Sequence, residues 1–413
     1  MKIFILFISL LSLVEGFQHH IYRIESKRKR LIKNKQWVDY KKRNILASTK
    51  QNVEDYADIQ LAINVTIGTP GQHFVLVPST GSSNIWVPDI SCDSGDEFAC
   101  PYYCQNEELC SILCKAGCCY NNLMAKGNCA NKNMFDSKKS STYVKSKHNF
   151  TIEYGSGNVD GYIGTDTVTI SGTTGRLSIP STVLGLASTI SPEFLDIPID
   201  GVFGLAFPSN SVNGITPPVY NAIRQHLFDK PIFTIYLKHI GHIISHDTSG
   251  GLISYGKYDT DNCENEISYH KLTSVSYWQF QFESFSFESL KLFYPFDVIS
   301  DTANPYITGP SDIIELIIIQ ANSTYDADYN AYLIDCKKNF ADFKFVIDGS
   351  TYSIPSKNLI DKIDNDLCTL SVYGNNFGGY GPRWVLGDPF FMSYCHVFDV
   401  ERKRIGFSLP KNR

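Results

Sequence analysis

Phe74-Val75-Leu76-Val77-Pro78-Ser79-Thr80-Gly81-Ser82-Ser83-Asn84-Ile85-Trp86-Val87-Pro88 is an apolar run that stops in a knot of small polar residues and then resumes. This pattern reads as a strand, a tight loop and a second strand. Val298-Ile299-Ser300-Asp301-Thr302-Ala303-Asn304-Pro305-Tyr306-Ile307-Thr308-Gly309-Pro310 repeats it weakly in the other half of the chain. Each copy is followed downstream by an apolar pair and a glycine, Val202-Phe203-Gly204 in one half and Val385-Leu386-Gly387 in the other. Two similar sheet-rich halves follow from a unit that occurs once in each.

The surrounding sequence agrees. Ile59 to Ile67 alternates apolar and polar residues and ends in the turn signal Gly68-Thr69-Pro70-Gly71. Ile152 to Tyr154, Thr165 to Ile170, Ile232 to Leu237 and Lys344 to Ile347 read as further strands. Helical patterns are few and short, the best being Pro218 to Leu227 and Asp312 to Gln320. The chain has 413 residues, 43% of them hydrophobic and 19% charged, so it can bury more than one core and is not globally disordered. Ordinary Gly and Pro contents and the lack of heptads exclude collagen and coiled-coil readings.

These residues resemble the pepsin-like aspartic proteases (peptidase A1), from about Ala57 to Pro410. Further matches, in order, are Ile67-Gly68-Thr69-Pro70, Asn84-Ile85-Trp86-Val87-Pro88, Tyr154-Gly155-Ser156-Gly157, Asp200-Gly201-Val202-Phe203-Gly204-Leu205-Ala206 and Trp384-Val385-Leu386-Gly387-Asp388-Pro389-Phe390. The resemblance implies a mostly β, bilobal fold with a peptide-binding cleft between two β-rich lobes. At the cleft floor it implies an Asp-Thr-Gly loop from each lobe, and over the cleft a basic propeptide. Thr80 and Thr302 match threonines that hydrogen-bond across the lobes. Tyr154 and Gly155 match the hairpin that closes over substrate, and Trp86 matches the tyrosine's packing partner.

The family's chemistry needs two facing carboxylates that share one proton, because like charges so close cannot both ionise. The charged member draws a proton from water and the protonated member polarises the scissile carbonyl. Here Ser79 stands where the first carboxylate belongs. A serine hydroxyl has no accessible pKa near neutrality for general-base work, and no Gly-x-Ser-x-Gly elbow makes Ser79 a nucleophile. The second copy keeps its acid, Asp301, but reads Asp301-Thr302-Ala303-Asn304-Pro305, so a Cβ replaces the usual glycine and Pro305 lacks an N–H. Part of that loop's geometry is expected to be lost. Pro78 likewise removes a donor just before Ser79. The reading is a secreted pepsin-like homologue without catalysis that acts as a binding or regulatory protein. The alternative is an active aspartic endopeptidase working with Asp301.

The N-terminus sets the compartment. Met1-Lys2, an apolar run from Ile3 to Val14, and Glu15-Gly16 form a signal peptide over 1–16, too short for a membrane helix. Residues 17–50 hold 11 Lys/Arg against Glu25 and Asp39, whereas 51–413 hold 25 basic and 39 acidic residues. A basic arm on an acidic body fits a removable segment held by charge complementarity, not a nucleic-acid or membrane tail. The N-terminal lobe is expected over 51–230 and the C-terminal lobe over 231–413.

Of twelve cysteines, eight fall in 92–129: Cys92, Cys100, Cys104, Cys110, Cys114, Cys118, Cys119 and Cys129. The insert contains no Cys-x2-Cys unit and no His, so disulfides are favoured over a metal, with 105 connectivities open. Nepenthesin-type plant proteases are similar in carrying a cysteine-rich insert near this place. Cys336 and Cys368 match the C-lobe pair of the family, which leaves Cys263 and Cys395 for each other as a pairing to be checked by distance. Sequons at Asn64, Asn149 and Asn322 suit a secreted glycoprotein. No metal or cofactor is expected. The expected partners are a peptide or protein in the cleft and the chain's own arm, with no nucleic acid or membrane. The expected state is a monomer, extracellular or in a lysosome-like compartment.

Overall fold

A computed structural model describes residues 16–40, 60–92, 129, 131–154, 157–172, 175–191, 194, 197–238, 249–364, 366–375 and 382–411. Most of the signal segment, six of the insert cysteines (Cys100, Cys104, Cys110, Cys114, Cys118 and Cys119) and Gly155 lie outside the described residues. Strands dominate, and the architecture is the bilobal, mostly β one expected.

The repeat seen in the sequence is one strand arrangement built twice. In the N-terminal half, Gln72–Ser79 runs parallel to Gly201–Gly204, which pairs antiparallel with Ile85–Pro88. Ile85–Pro88 then runs parallel to Gly175–Ile190. In the C-terminal half, Phe296–Ser300 runs parallel to Trp384–Leu386, which pairs antiparallel with Ile307–Gly309. Ile307–Gly309 runs parallel to Val372–Gly374. The downstream apolar-apolar-glycine segments are therefore the strands that each loop-bearing strand lies against. Buried on both faces, these short strands read as continuous apolar runs without alternation.

A sheet shared by both halves carries the two units. Leu61–Ile67 belongs to the first half and Ser249–Tyr255 to the second, and the strand Phe17–Arg23 lies hydrogen-bonded between them. Beyond Ser249–Tyr255 come Ile232–Leu237, Cys395–Asp399 and Arg404–Ser408. Trp86, Trp278 and Trp384 are fully buried, and Trp278 Nε1 donates to the Leu205 carbonyl at 3.0 Å across the halves. Helices are sparse among the described residues: Lys27–Lys33 on the arm, Pro218–Arg224, single turns at Ser356–Leu359 and Asp388–Phe391, and Ser311–Gln320, which packs Ile313, Ile314, Ile317 and Ile318 inward at helical spacing.

The basic arm is held by more than charge. Arg23 pairs with Asp388 at 3.0 Å and Lys29 with Asp361 at 2.7 Å, as charge complementarity suggests. Beside these pairs, Phe17 and Ile21 enter the main core, and Ile24 joins the N-terminal core cluster. Ile32 and Trp37 pack on Ile363, with Trp37 Nε1 donating to the Tyr329 carbonyl. Each such apolar side chain contributes roughly 1.5–3 kcal/mol, whereas desolvation of both partners offsets much of the attraction in the largely buried Arg23–Asp388 pair.

Three disulfides join described residues. Cys92–Cys129 closes the base of the insert, Cys336–Cys368 ties the end of Ala331–Ile334 to its neighbouring strand Leu367–Leu370, and Cys263–Cys395 has its Cα atoms 6.1 Å apart. The last spans 132 residues of sequence, so chain-entropy arguments assign it up to about 5 kcal/mol. Replacing both Cys263 and Cys395 by Ser is expected to lose about 3–5 kcal/mol in urea titration, and a loss under about 1 kcal/mol contradicts this.

His19, on the arm strand, is 1% exposed and its Nε2 bonds the Asn64 carbonyl at 2.9 Å. Burial lowers its pKa to about 4. The docked strand thus disfavours the charged imidazole, and a freed strand binds the proton more readily between pH 6.5 and about 4. Docking weakens as pH falls through that window, by about 3 kcal/mol at most. Protection factors of the Phe17–Arg23 amides, with the intrinsic pH dependence of exchange divided out, should fall as the pH drops through this range in the wild type, and the fall should shrink in His19→Gln.

Candidate functional site

Two loops meet where the repeated strands end. The loop after Gln72–Ser79 and the loop after Phe296–Ser300 interlock through their threonines, both fully or nearly fully buried. Thr80 N–H donates to Thr302 Oγ1 at 3.1 Å, and Thr302 N–H donates to Thr80 Oγ1 at 3.0 Å. Each hydroxyl then donates across: Thr80 to the Ser300 carbonyl at 2.8 Å, Thr302 to the Pro78 carbonyl at 2.5 Å. A hydroxyl suits both positions because it supplies one donor and one acceptor to buried backbone groups of the other loop.

Asp301 sits on this platform. Its Oδ1 accepts the Gly81 and Ala303 N–H groups, each at 2.9 Å, one from each half. The residue keeps an edge to solvent, while protein atoms crowd its carboxyl. That burial pushes its pKa up, while the two N–H bonds and, least of all, the nearby Ser79 hydroxyl pull the other way. Ser79 is 4% exposed and its carbonyl accepts from Leu205 N–H at 2.8 Å. A Cβ on Gly81 would lie 2.2 Å from Asp301 Oδ2, so only glycine fits there.

The expected loss of geometry at the second loop is not what the structure shows. The Ala303 N–H still reaches Asp301, Asn304 N–H reaches the Asp301 carbonyl at 3.3 Å, and Asn304 Oδ1 caps Tyr306 N–H at 3.1 Å. The side chain of Asn304 thus closes the turn that Pro305 cannot support with an N–H. Pro78 does break the symmetry. In the second copy Ser300 N–H donates to the Trp278 carbonyl at 3.2 Å, and the corresponding residue of the first has no such donor.

Trp86 Nε1, on the strand after the first loop, donates to Tyr154 OH at 2.8 Å, and Phe194 packs edge-on against both rings. The geometry thus brings together Ser79, Thr80, Asp301 and Thr302, with Tyr154 tethered to the strand that follows the first loop. Asn64, Asn149 and Asn322 are all exposed. Among the described residues no group of three or more His, Cys, Asp and Glu is placed to hold a metal ion.

Sequence reading missed two polar groups behind the site. Asp388, in the Gly387-Asp388-Pro389-Phe390 motif, is 4% exposed, and burial pushes its carboxyl up while Arg23 of the arm pulls it down. The only signal for it was an acid placed directly after an apolar-apolar-glycine strand. His396 is fully buried with Nδ1 bonded to Ser300 Oγ at 2.9 Å, and burial lowers its pKa to about 3. Nothing local in the sequence pairs residues 96 positions apart.

Comparison with known proteins gives one answer. The profile of the eukaryotic aspartyl protease family matches residues 60–409. Aspartic protease 6 of Caenorhabditis elegans is 37% identical over 99% of both chains. Aspartic protease 2 of Necator americanus is 37% identical over 88% of this chain and 86% of its own. Dog renin is 29% identical over 91% of this chain and 86% of its own.

Thr80→Val removes a hydroxyl that serves two buried partners, the Ser300 carbonyl and the Thr302 N–H. Stranding both is expected to cost about 2–5 kcal/mol in denaturant unfolding. Thr80→Ser, which keeps the bonds, should cost less than half as much.

Proposed function

The chain belongs to the pepsin-like aspartic protease family, and from that premise we propose that it is an inactive homologue acting as a binding or regulatory protein. The observation that carries this reading is Ser79: a hydroxyl faces Asp301 on an otherwise intact platform. With Ser79 at the facing position there is no carboxylate there to share a proton, and Asp388, whose charge also acts on Asp301, is itself paired with Arg23. General acid–base help is worth about 10²–10⁴ in rate, and losing one member of a coupled pair removes at least that.

What is retained supports binding. The interlocked threonines hold the loops, and Tyr154 is tied to Trp86 on the strand after the first loop. A peptide or protein is the ligand class that this scaffold fits, since family members bind peptide substrates between the lobes. The basic segment 17–50 is proposed as a propeptide, and a chain that cannot cut depends on another protease to release it. The disulfides and the family point to the secretory pathway. Within that route we propose a secreted monomer, glycosylated at the exposed Asn64, Asn149 and Asn322.

The second reading, an acid endopeptidase, is favoured by Asp301 itself, whose raised pKa suits a proton donor, and by the protease names of the relatives. Purified protein incubated with denatured substrate at acid pH, with and without pepstatin, separates the two. No pepstatin-sensitive cleavage is expected. Pepstatin-sensitive turnover by the purified chain would sink the inactive reading.

A further inference from the structure

The threonine interlock relates the two loops by an approximate two-fold. Thr80 and Thr302 exchange equivalent bonds, so Pro78 corresponds to Ser300, Ser79 to Asp301 and Gly81 to Ala303. Across this axis one contact can be read directly. A Cβ on Gly81 would fall 2.2 Å from Asp301 Oδ2, 2.5 Å from its Cγ and 2.8 Å from its Oδ1. The carboxylate of residue 301 fills the space that a side chain on residue 81 would need.

The symmetric image of that contact lies between the Ala303 Cβ and the side chain of residue 79. There the occupancy is reversed, with a methyl present and a carboxylate absent. Neither Gly81 nor Ala303 has a positive φ, so the conflict at both positions is one of volume and not of backbone strain. The Ala303 methyl also packs against the N-terminal cluster that contains Val77, Trp86 and Val202, and the Ala303 N–H keeps its bond to Asp301.

We infer that Ser79 and Ala303 form one steric unit, in which the Ala303 methyl occupies the volume of the missing first carboxylate and sets residue 79 to a small side chain. Ala303 is then a positioning residue that bars the first acid from returning by a single change. This rests on the reading of Ser79 as the vacated acid position. It adds that the two departures from the family pattern are a coupled pair.

The test is a double-mutant cycle on the full chain, with Ser79→Asp, Ser79→Asn, Ala303→Gly and each combined pair, read by thermal unfolding at acid pH. Asn has the volume of Asp without its charge. Forcing either side chain against the Ala303 methyl is expected to lower the unfolding midpoint by about 3–6 °C, and adding Ala303→Gly should restore most of it. On denatured substrate at acid pH, Ser79→Asp with Ala303→Gly should cleave at least about 100-fold faster than Ser79→Asp alone. Equal destabilisation with and without Ala303→Gly, or equal cleavage by Ser79→Asp alone, overturns the inference. If Ser79→Asp does not fold in either background, the Ser79→Asn pair decides by the same midpoint criterion. Cleavage by the wild type would overturn the inactive reading, and the unfolding cycle would still decide for or against the steric unit.

Discussion

The interlock of Thr80 and Thr302 is the constraint on which the rest depends. Its four hydrogen bonds join buried polar groups of one loop to buried polar groups of the other, where water cannot substitute for either partner. Each half therefore completes its hydrogen bonding only when the other is in place. The loop positions, the approach of Gly81 to Asp301 and the direction of the strands leading in all follow from that mutual requirement. The side chain of residue 79 is not part of this network, since neither threonine bonds to it. The platform therefore does not depend on whether residue 79 carries an acid or a hydroxyl.

A second consequence concerns the arm. Phe17–Arg23 is an inner strand of the sheet common to both halves, with partners on each side. Its last residue, Arg23, pairs with Asp388 just beyond the strand that lies against the second loop. Asp388 N–H bonds the Asn304 carbonyl, so the arm's ion pair lies one residue contact from the loop that carries Asp301. Seating of the arm and shape of the site are physically continuous.

Much of this was legible in the sequence. The strand-loop-strand unit and its second copy could be read because strands buried on both faces leave uninterrupted apolar runs, and tight loops between them need small polar residues. The positions of Ser79, Asp301, Thr80 and Thr302 came from the same runs. The ion pair of Arg23 with Asp388, the burial of His19 and the Ser300–His396 bond were not legible. Each joins residues far apart in the chain, and local patterning records what a residue's own element buries and not what crosses to it. The second loop was misread in one respect. Ala303 and Pro305 looked like losses of geometry, yet Asn304 rebuilds the turn with its side chain.

By itself the sequence determined the chemical inventory of the two loops: one acid, Asp301, one hydroxyl, Ser79, and one methyl, Ala303. It also determined the two-halved β architecture, because apolar periodicity and turn chemistry are local properties. Only the tertiary structure decided that Asp301 takes its N–H bonds from both halves and that its carboxylate lies where a side chain on Gly81 would be. Those facts depend on distances between segments 220 residues apart. Such distances are set by the packing of both cores at once, which no stretch of chain specifies alone.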